Sequence, residues 1–252
     1  MNMDTNAIYV LWLRDVKRFV RAKSRVIGTL MFPLFFMVGF GLGFNNLVHI
    51  GNSSYLEYLV PGVIGMSLLF TAIASGTAVL WDRQFGFLKE ILVTPNSRTA
   101  VVIGRVAGGA TTAVLQSILV VAIAIPLGFT LSSNASLLIA VLFMLLIATT
   151  FISLGLIFGS VINDFQGFQL ITSFFTFPLF FLSNAIFPMS GMPAIVQYLS
   201  YVNPLTYGVD GLRGALTGSA SMPLVLDAAV LLVASAIMIL IAAYAFEKTE
   251  VG

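Results

Sequence analysis

Six long apolar stretches are the most prominent feature of the chain. They cover residues 26–44, 59–80, 106–129, 137–162, 170–187 and 224–246. A bilayer core about 30 Å thick requires roughly 20 apolar residues in a helix. The stretches lack the alternation of half-buried strands, and in lipid the backbone must make its hydrogen bonds within the segment. The pattern therefore predicts an all-α membrane protein with six transmembrane helices in a single domain, 1–252.

Charged residues are almost absent from these stretches. The first five contain no Asp, Glu, Lys or Arg, and the sixth holds only Asp227, in its first turn. We expect this carboxylate to reach the membrane interface, because a charge at mid-membrane costs about 2.5–3.5 kcal/mol on insertion scales. Charged residues make up 9% of the whole chain, against roughly 25% in soluble domains. The composition therefore favours a membrane protein as well.

The distribution of Lys and Arg predicts the orientation in the membrane. Six of these residues precede the first stretch, four lie between the second and third, and one follows the sixth. Thus 11 of the 12 would lie on one side, and Arg213 alone on the other. Because loops rich in Lys and Arg stay in the cytoplasm, we predict a multi-pass protein of the cell membrane with both termini cytoplasmic.

The N-terminal segment 5–25 has the pattern of an amphipathic helix. Its basic residues fall within an arc of about 100°, opposite Ile8, Trp12, Val16 and Phe19. The basic arc consists of Arg14, Lys17, Arg18, Arg21 and Arg25. Such a helix lies in the membrane interface and turns its basic face toward anionic headgroups or a partner. The alternative is an ordinary basic flank of the first span.

The connection between the second and third spans, 81–105, carries an apolar stripe. The stripe consists of Phe85, Leu88, Ile91 and Leu92. Lys89 and Glu90 point elsewhere, and we expect the helix to end at Thr94-Pro95, because the residue before proline disfavours the α region. A short amphipathic helix of this kind needs either lipid or a protein partner to cover its stripe.

The last external segment, 188–223, is long but not polar. It predicts short helices at 193–201 and 205–216, separated at Asn203-Pro204. Apolar external helices can re-enter the membrane where protein covers their broken backbone. The alternative is a cap that lies on the surface.

The remaining chemistry points away from an enzyme or an ion-coupled carrier. The chain has no cysteine, one histidine (His49) and no G-x-x-x-x-G-K-[ST] phosphate-binding loop. Asp210 and Arg213 are three residues apart and can pair on one helix face, and Gln116 is expected to bridge helices. Because carriers usually need ionisable groups within the spans, a transporter of this kind would need an external energy source.

Two stretches carry a resemblance to a known family. The first is WDRQFGFLKEILVTP at 81–95, and the second runs through the fifth span to Arg213. The second stretch contains Ser183, Ala185, Met192-Pro193, Asn203-Pro204-Leu205-Thr206-Tyr207 and Arg213. Both resemble the type-2 ATP-binding-cassette exporter permeases, which include daunorubicin-resistance-type drug exporters, nodulation-factor exporters and polysaccharide exporters.

The resemblance implies two permease subunits, identical or similar, each bound to a separate ATPase subunit. ATP and Mg would be bound by that partner, and this chain would hold no cofactor, metal or catalytic residue. Segment 85–93 would be a coupling helix, and the external segment would form a gate. The expected ATPase contacts are Arg83, Phe85, Gly86, Phe87, Leu88, Lys89, Glu90 and Leu92. The expected signature and gate residues are Pro193, Asn203, Pro204, Tyr207, Asp210 and Arg213.

The sequence thus predicts an exporter permease for an amphipathic drug, lipid or lipid-linked substrate. A polysaccharide or cell-wall polymer exporter of the same family is an alternative. An ATP-independent carrier or assembly factor is an alternative from another class.

Overall fold

The computed structural model describes residues 5–44, 49–50, 53–85 and 97–248. This part of the chain is built from α-helices, with one short β-hairpin that pairs His49–Ile50 with Ser53–Ser54. Its ten α-helices are α1 (Thr5–Arg21), α2 (Lys23–Phe36), α3 (Tyr55–Ala74), α4 (Thr77–Gln84), α5 (Arg98–Ala124), α6 (Leu137–Val161), α7 (Phe165–Phe181), α8 (Ala194–Val202), α9 (Pro204–Thr217) and α10 (Leu224–Glu247). Met37–Leu42 continues α2 as a π-helix. The predicted all-α class is therefore confirmed.

Four helical segments of the described chain are long and apolar enough to cross a membrane. They are Tyr55–Asp82, Arg98–Leu127, Leu137–Val161 and Leu224–Glu247. A fifth candidate is a bent pair, in which Thr5–Arg21 and Val26–Leu42 meet at 72°. Helix α7 is apolar but only 17 residues long. These segments make the chain a multi-pass membrane protein.

Three helices, α3, α5 and α7, begin earlier than the predicted apolar stretches, because polar caps set their first turns. Ser54 and Glu57 form a reciprocal capping box, so α3 begins at Tyr55 rather than at 59. Ser97 accepts a hydrogen bond from the Ala100 amide, which starts α5 before the predicted 106. Asp164 likewise caps α7, which begins at Phe165 rather than at 170. The charged residues Glu57 in α3 and Arg98 in α5 exclude these first turns from a charge-free window, whereas the start of α7 is uncharged but contains Gln166 and Gln169.

The N-terminal helix is shorter than predicted, and protein covers its apolar side. It ends at Arg21, because Ala22 leaves the helical conformation (φ −89°, ψ 64°) before α2 begins. Its axis runs close to α5, where a Cβ atom on Gly108 would lie 2.9 Å from that of Asp15. The indole nitrogen of Trp12 donates to the Thr111 hydroxyl at 3.0 Å. Helix α1 is thus docked on the bundle.

The long segment formed by α3 and α4 breaks where it crosses α6. The break lies at Ser75 and Gly76, and the glycines Gly155 and Gly159 of α6 face it. A Cβ atom on Gly155 would lie 2.6 Å from the Ile73 carbonyl oxygen, and one on Gly159 would lie 2.5 Å from that of Gly76. Backbone therefore meets backbone at this crossing, and only glycine leaves the necessary room.

The two helices of the last external segment have different surroundings. They cover Ala194–Val202 and Pro204–Thr217, within one residue of the predicted bounds, and they break at Asn203-Pro204 as predicted. Ten of the 14 residues of α9 are buried, whereas α8 buries only Ser200. Helix α9 packs against α3, α6 and α10. The alternative of a cap that lies on the surface therefore fits α8, whereas α9 is buried in the bundle.

Candidate functional sites at the two ends of the bundle

The two ends of the bundle differ in chemistry. We call one the basic end; it contains α1, the end of α4, the start of α5 and the end of α10. Arg98 of α5 donates there to the Glu247 carbonyl oxygen of α10. We call the other the hairpin end; it contains the β-hairpin, the 128–136 turn, α8 and the 218–223 loop. There the Ser132 amide donates to the Leu216 carbonyl oxygen at 3.0 Å.

A cluster of charged side chains joins three helices at the basic end. Asp82, at the end of α4, accepts a hydrogen bond from the buried Arg105 of α5. Arg14 of α1 lies 3.8 Å from the same carboxylate, and it also contacts Asp15 at 3.5 Å. The Arg105 side chain is 3% exposed, and Asp82 supplies a countercharge of the kind that a buried cation requires. Sequence reasoning missed this cluster, because its members lie far apart in the chain.

The first part of the predicted coupling segment continues directly from this cluster. Phe85 is 65% exposed, and its ring stacks on Trp81 with 5.5 Å between the centroids. Trp81 in turn contacts the ring of Phe165 at 4.8 Å, so these aromatics hold the end of α4 against the start of α7. The Arg83 side chain lies outside the described residues. The other predicted contacts that lie outside them are Gly86, Phe87, Leu88, Lys89, Glu90 and Leu92.

A polar bridge lies deeper in the bundle, beside a cavity of about 260 Å³. The side-chain amide of Gln116, 1% exposed, donates to the Ser67 hydroxyl at 3.3 Å and to the Thr29 carbonyl oxygen at 3.4 Å. It therefore joins α5 to α3 and α2, which confirms the predicted bridging role. Asp15 and Arg105 of the charged cluster line the same cavity.

The hairpin end contains a second buried network, centred on Arg213. Nη1 of Arg213 lies 3.8 Å from Oδ1 of Asp210, so the predicted pairing is confirmed. The guanidinium also lies over the ring of Tyr58, 3.9 Å from its centroid, and Nη2 donates to the Asn184 carbonyl oxygen at 3.0 Å. Tyr58 and Asn184 were not predicted, because nothing in their local sequence marks them as partners of α9.

Asn184 holds the turn after α7 in an unusual conformation. Its φ of 61° is in the left-handed region, which Asn tolerates better than most residues. Its carbonyl oxygen and Oδ1 share the single O–H donor of Tyr58, at 3.0 and 2.5 Å from the hydroxyl oxygen. Oδ1 also accepts from the Met189 amide at 3.1 Å. This turn ends α7 at Phe181, six residues before the predicted 187.

We expect Tyr58→Phe to lower the free energy of unfolding of the purified protein by about 1–2 kcal/mol. The change removes the buried hydroxyl that both Asn184 acceptors share. Thermal unfolding in detergent measures the effect. Tyr198→Phe is the matched control, since Tyr198 is 73% exposed. Equal stability changes in the two variants would contradict the role given to Tyr58.

The signature residues Asn203, Pro204 and Tyr207 shape the elbow between α8 and α9. Oδ1 of Asn203 accepts from the Leu205 amide at 3.0 Å and so caps α9, while Pro204 occupies its first turn. The Tyr207 hydroxyl donates to the Tyr201 carbonyl oxygen at 2.8 Å. Pro193 stands apart from this elbow, directly before α8. All four residues thus lie at the ends of α8 and α9, where they fix the path of the chain.

Two acidic residues near the elbow are buried. The Asp210 carboxylate accepts from the backbone amides of Ser221 and Met222 at 2.8–3.0 Å, which anchors the loop before α10. Asp227 is fully buried, and neither of its oxygens has a hydrogen-bond partner among the described residues. The expectation that Asp227 reaches the interface is therefore wrong. The reason is that α9 covers the start of α10, where a Cβ atom on Gly214 would lie 2.6 Å from Leu224.

Comparison with known proteins agrees with this architecture. The family model for ABC-2 type transporters matches residues 6–217. The inner membrane transport permease YadH of Escherichia coli K12 is 30% identical over 233 residues, covering 90% of this chain and 89% of YadH. The putative transport permease ycf38 of Porphyra purpurea is 30% identical (77% and 68% covered), and nodulation protein J of Rhizobium leguminosarum bv. trifolii is 27% identical (83% and 78%). These matches confirm the predicted resemblance: the chain is a membrane permease that belongs to the ABC-2 type transporter family.

Proposed function

We propose that this chain is the membrane subunit of an ATP-binding-cassette exporter. It forms the path for an amphipathic drug, lipid or lipid-linked substrate, and a separate subunit hydrolyses the ATP. The observation that carries this proposal is the charged cluster at the basic end. There the predicted coupling segment leaves α4 next to Asp82, which is paired with the buried Arg105 of α5. A push on that segment would reach α1 and α5 together, because their side chains share one carboxylate.

We further propose six membrane crossings with both termini in the cytoplasm. Helix α2 and its π-helical continuation span 23–42, or about 30 Å at 1.5 Å per residue. Helix α7 is about 25 Å long and supplies the fifth crossing along the chain, which the turn 182–187 completes. The basic end then faces the cytoplasm, in agreement with the 11 Lys and Arg residues assigned to that side.

A second permease subunit, identical or similar, is part of the proposal. Helices α2 and α7 expose large apolar side chains, such as Phe35 (67%) and Phe174 (76%). Lipid or another protein must cover these faces. Pairing of two permeases along α2 and α7 would place the substrate path between the subunits, as the family resemblance implies.

The coupling segment provides the test of this function. We expect Leu88→Asp and Glu90→Lys to abolish the effect of the permease on the ATP hydrolysis rate of its ATPase partner, because they disrupt the apolar stripe and reverse a charge beside it. Both variants should still insert in the membrane, since neither position lies in an apolar span. Leu131→Asp is the matched control, at an exposed position on the hairpin end. An unchanged hydrolysis rate with both segment variants would overturn the coupling assignment.

A further inference from the structure

A cavity of about 420 Å³ lies at the hairpin end, beside the turn after α7, helix α8 and the 218–223 loop. Two residues of its wall, Tyr201 and Ser219, are exposed and place it at the protein surface. Arg213 is also part of the wall but is only 2% exposed. Among the described residues that line the cavity, it is the only one with a charged side chain. The described part of the cavity wall therefore presents a single fixed positive charge.

The guanidinium of Arg213 has donors that the described residues leave unused. Nη2 donates to the Asn184 carbonyl oxygen at 3.0 Å. Nε and Nη1 are buried and have no hydrogen-bond partner in the described ranges. A buried donor without an acceptor is unfavourable, because it has lost its hydrogen bonds to water without replacing them. Because both atoms are buried, an oxygen atom supplied by a ligand would satisfy them after a small shift of the Arg213 side chain toward the cavity that it lines.

The neighbouring acid limits the charge that such a ligand can carry. Asp210 lies 3.8 Å from Nη1, beyond hydrogen-bond distance, and its oxygens accept instead from the amides of Ser221 and Met222. Neither Asp210 nor the buried Asp227 lines the cavity. The Asp210 carboxylate still offsets part of the guanidinium charge. The site therefore favours a singly charged group over a doubly charged one.

We propose that Arg213 binds a monoanionic oxyanion group, a phosphodiester, in this cavity. The rings of Tyr58 and Tyr201 and the thioether of Met189 form an adaptable apolar wall for the remainder of an amphipathic molecule. A lipid headgroup and a free phosphodiester share this chemistry. Binding here goes beyond the proposed export function, because it requires neither ATP nor a partner subunit.

Titration calorimetry on the purified full-length chain in a neutral detergent tests the proposal. The probes are dihexanoylphosphatidylglycerol, dimethyl phosphate and, without a phosphate, dihexanoylglycerol. We expect saturable binding of the phosphatidylglycerol and none of the dihexanoylglycerol. Binding of dimethyl phosphate as well would assign the site to the phosphodiester itself, and its absence would assign the site to a lipid headgroup. No saturable binding of either phosphodiester would overturn the proposal, as would equal binding of dihexanoylglycerol.

A charge placed in the cavity wall localises the site without disturbing the buried network. Ser219→Asp adds a carboxylate at an exposed wall position, and it should weaken binding about tenfold. Ser133→Asp is the matched control, because Ser133 is exposed in the 128–136 turn and does not line the cavity. Equal binding by the two variants would place the ligand elsewhere. That failure would leave the export proposal intact, since the coupling experiment tests the opposite end of the bundle.

Discussion

Replacing Gly155 with valine should destabilise the protein by about 3 kcal/mol or more. A side chain at this position meets backbone rather than flexible side chains: its Cβ atom would lie 2.6 Å from the Ile73 carbonyl oxygen and 3.0 Å from the Ile73 Cα atom. Overpacking typically costs about 1–3 kcal/mol and occasionally more, and we expect at least the upper end, because neither helix backbone can move without the other. Thermal unfolding of the purified protein measures the effect.

Gly28→Val is the control for this prediction. Gly28 lies in α2, and no neighbouring heavy atom lies within 4 Å of a Cβ atom added there. Both variants carry valine within a helix. The difference between their losses of stability therefore measures how tightly α6 packs where it crosses the α3–α4 break. Similar losses of stability in Gly155→Val and Gly28→Val would show that the crossing is not tightly packed.

Replacing Asp82 with asparagine should have an effect of similar size. The change removes the charged hydrogen-bond partner of the buried Arg105, and breaking a buried pair in this way costs about 3–5 kcal/mol. Arg14→Gln is the control: this side chain is 40% exposed and contacts the same carboxylate at 3.8 Å, so its loss should cost less than about 1 kcal/mol. Unfolding temperatures of the two variants give the comparison.

A double variant separates a lost ion pair from a general disturbance of the basic end. Asp82→Leu combined with Arg105→Met removes both charges, and apolar replacement of a buried pair is often neutral or stabilising. We expect the double variant to be more stable than Asp82→Asn. A double variant less stable than Asp82→Asn would mean that the pair is not what holds α4 against α5.

The apolar pattern was sufficient to predict the long helices, because lipid requires continuous runs of apolar residues. It placed the start of α6 at Leu137 and the start of α10 at Leu224, as observed. It placed the starts of α3 and α5 too late, because Ser54 and Ser97 cap turns that contain polar residues. Local cap chemistry, which can be read from Ser54 and Glu57, would have corrected these bounds.

The candidate sites were only partly predictable. The Asp210–Arg213 pair could be anticipated from helical spacing, since both residues lie on one short helix. Tyr58 and Asn184 could not, because the contacts they make with Arg213 span 155 and 29 residues along the chain. The burial of Asp227 was missed for the same reason: the apolar pattern places it in the first turn of a span, but α9 covers that turn.

We propose that this permease receives its energy from a separate ATPase. Purification of the full chain from its native membrane would show whether such a partner is bound. We predict that a protein with a G-x-x-x-x-G-K-[ST] motif, identified by mass spectrometry, purifies with the chain in equal amount and hydrolyses ATP. We also predict that Leu88→Asp releases this protein while Leu131→Asp retains it. Recovery of a folded permease that moves substrate across vesicle membranes without any nucleotide-hydrolysing protein would contradict the claim.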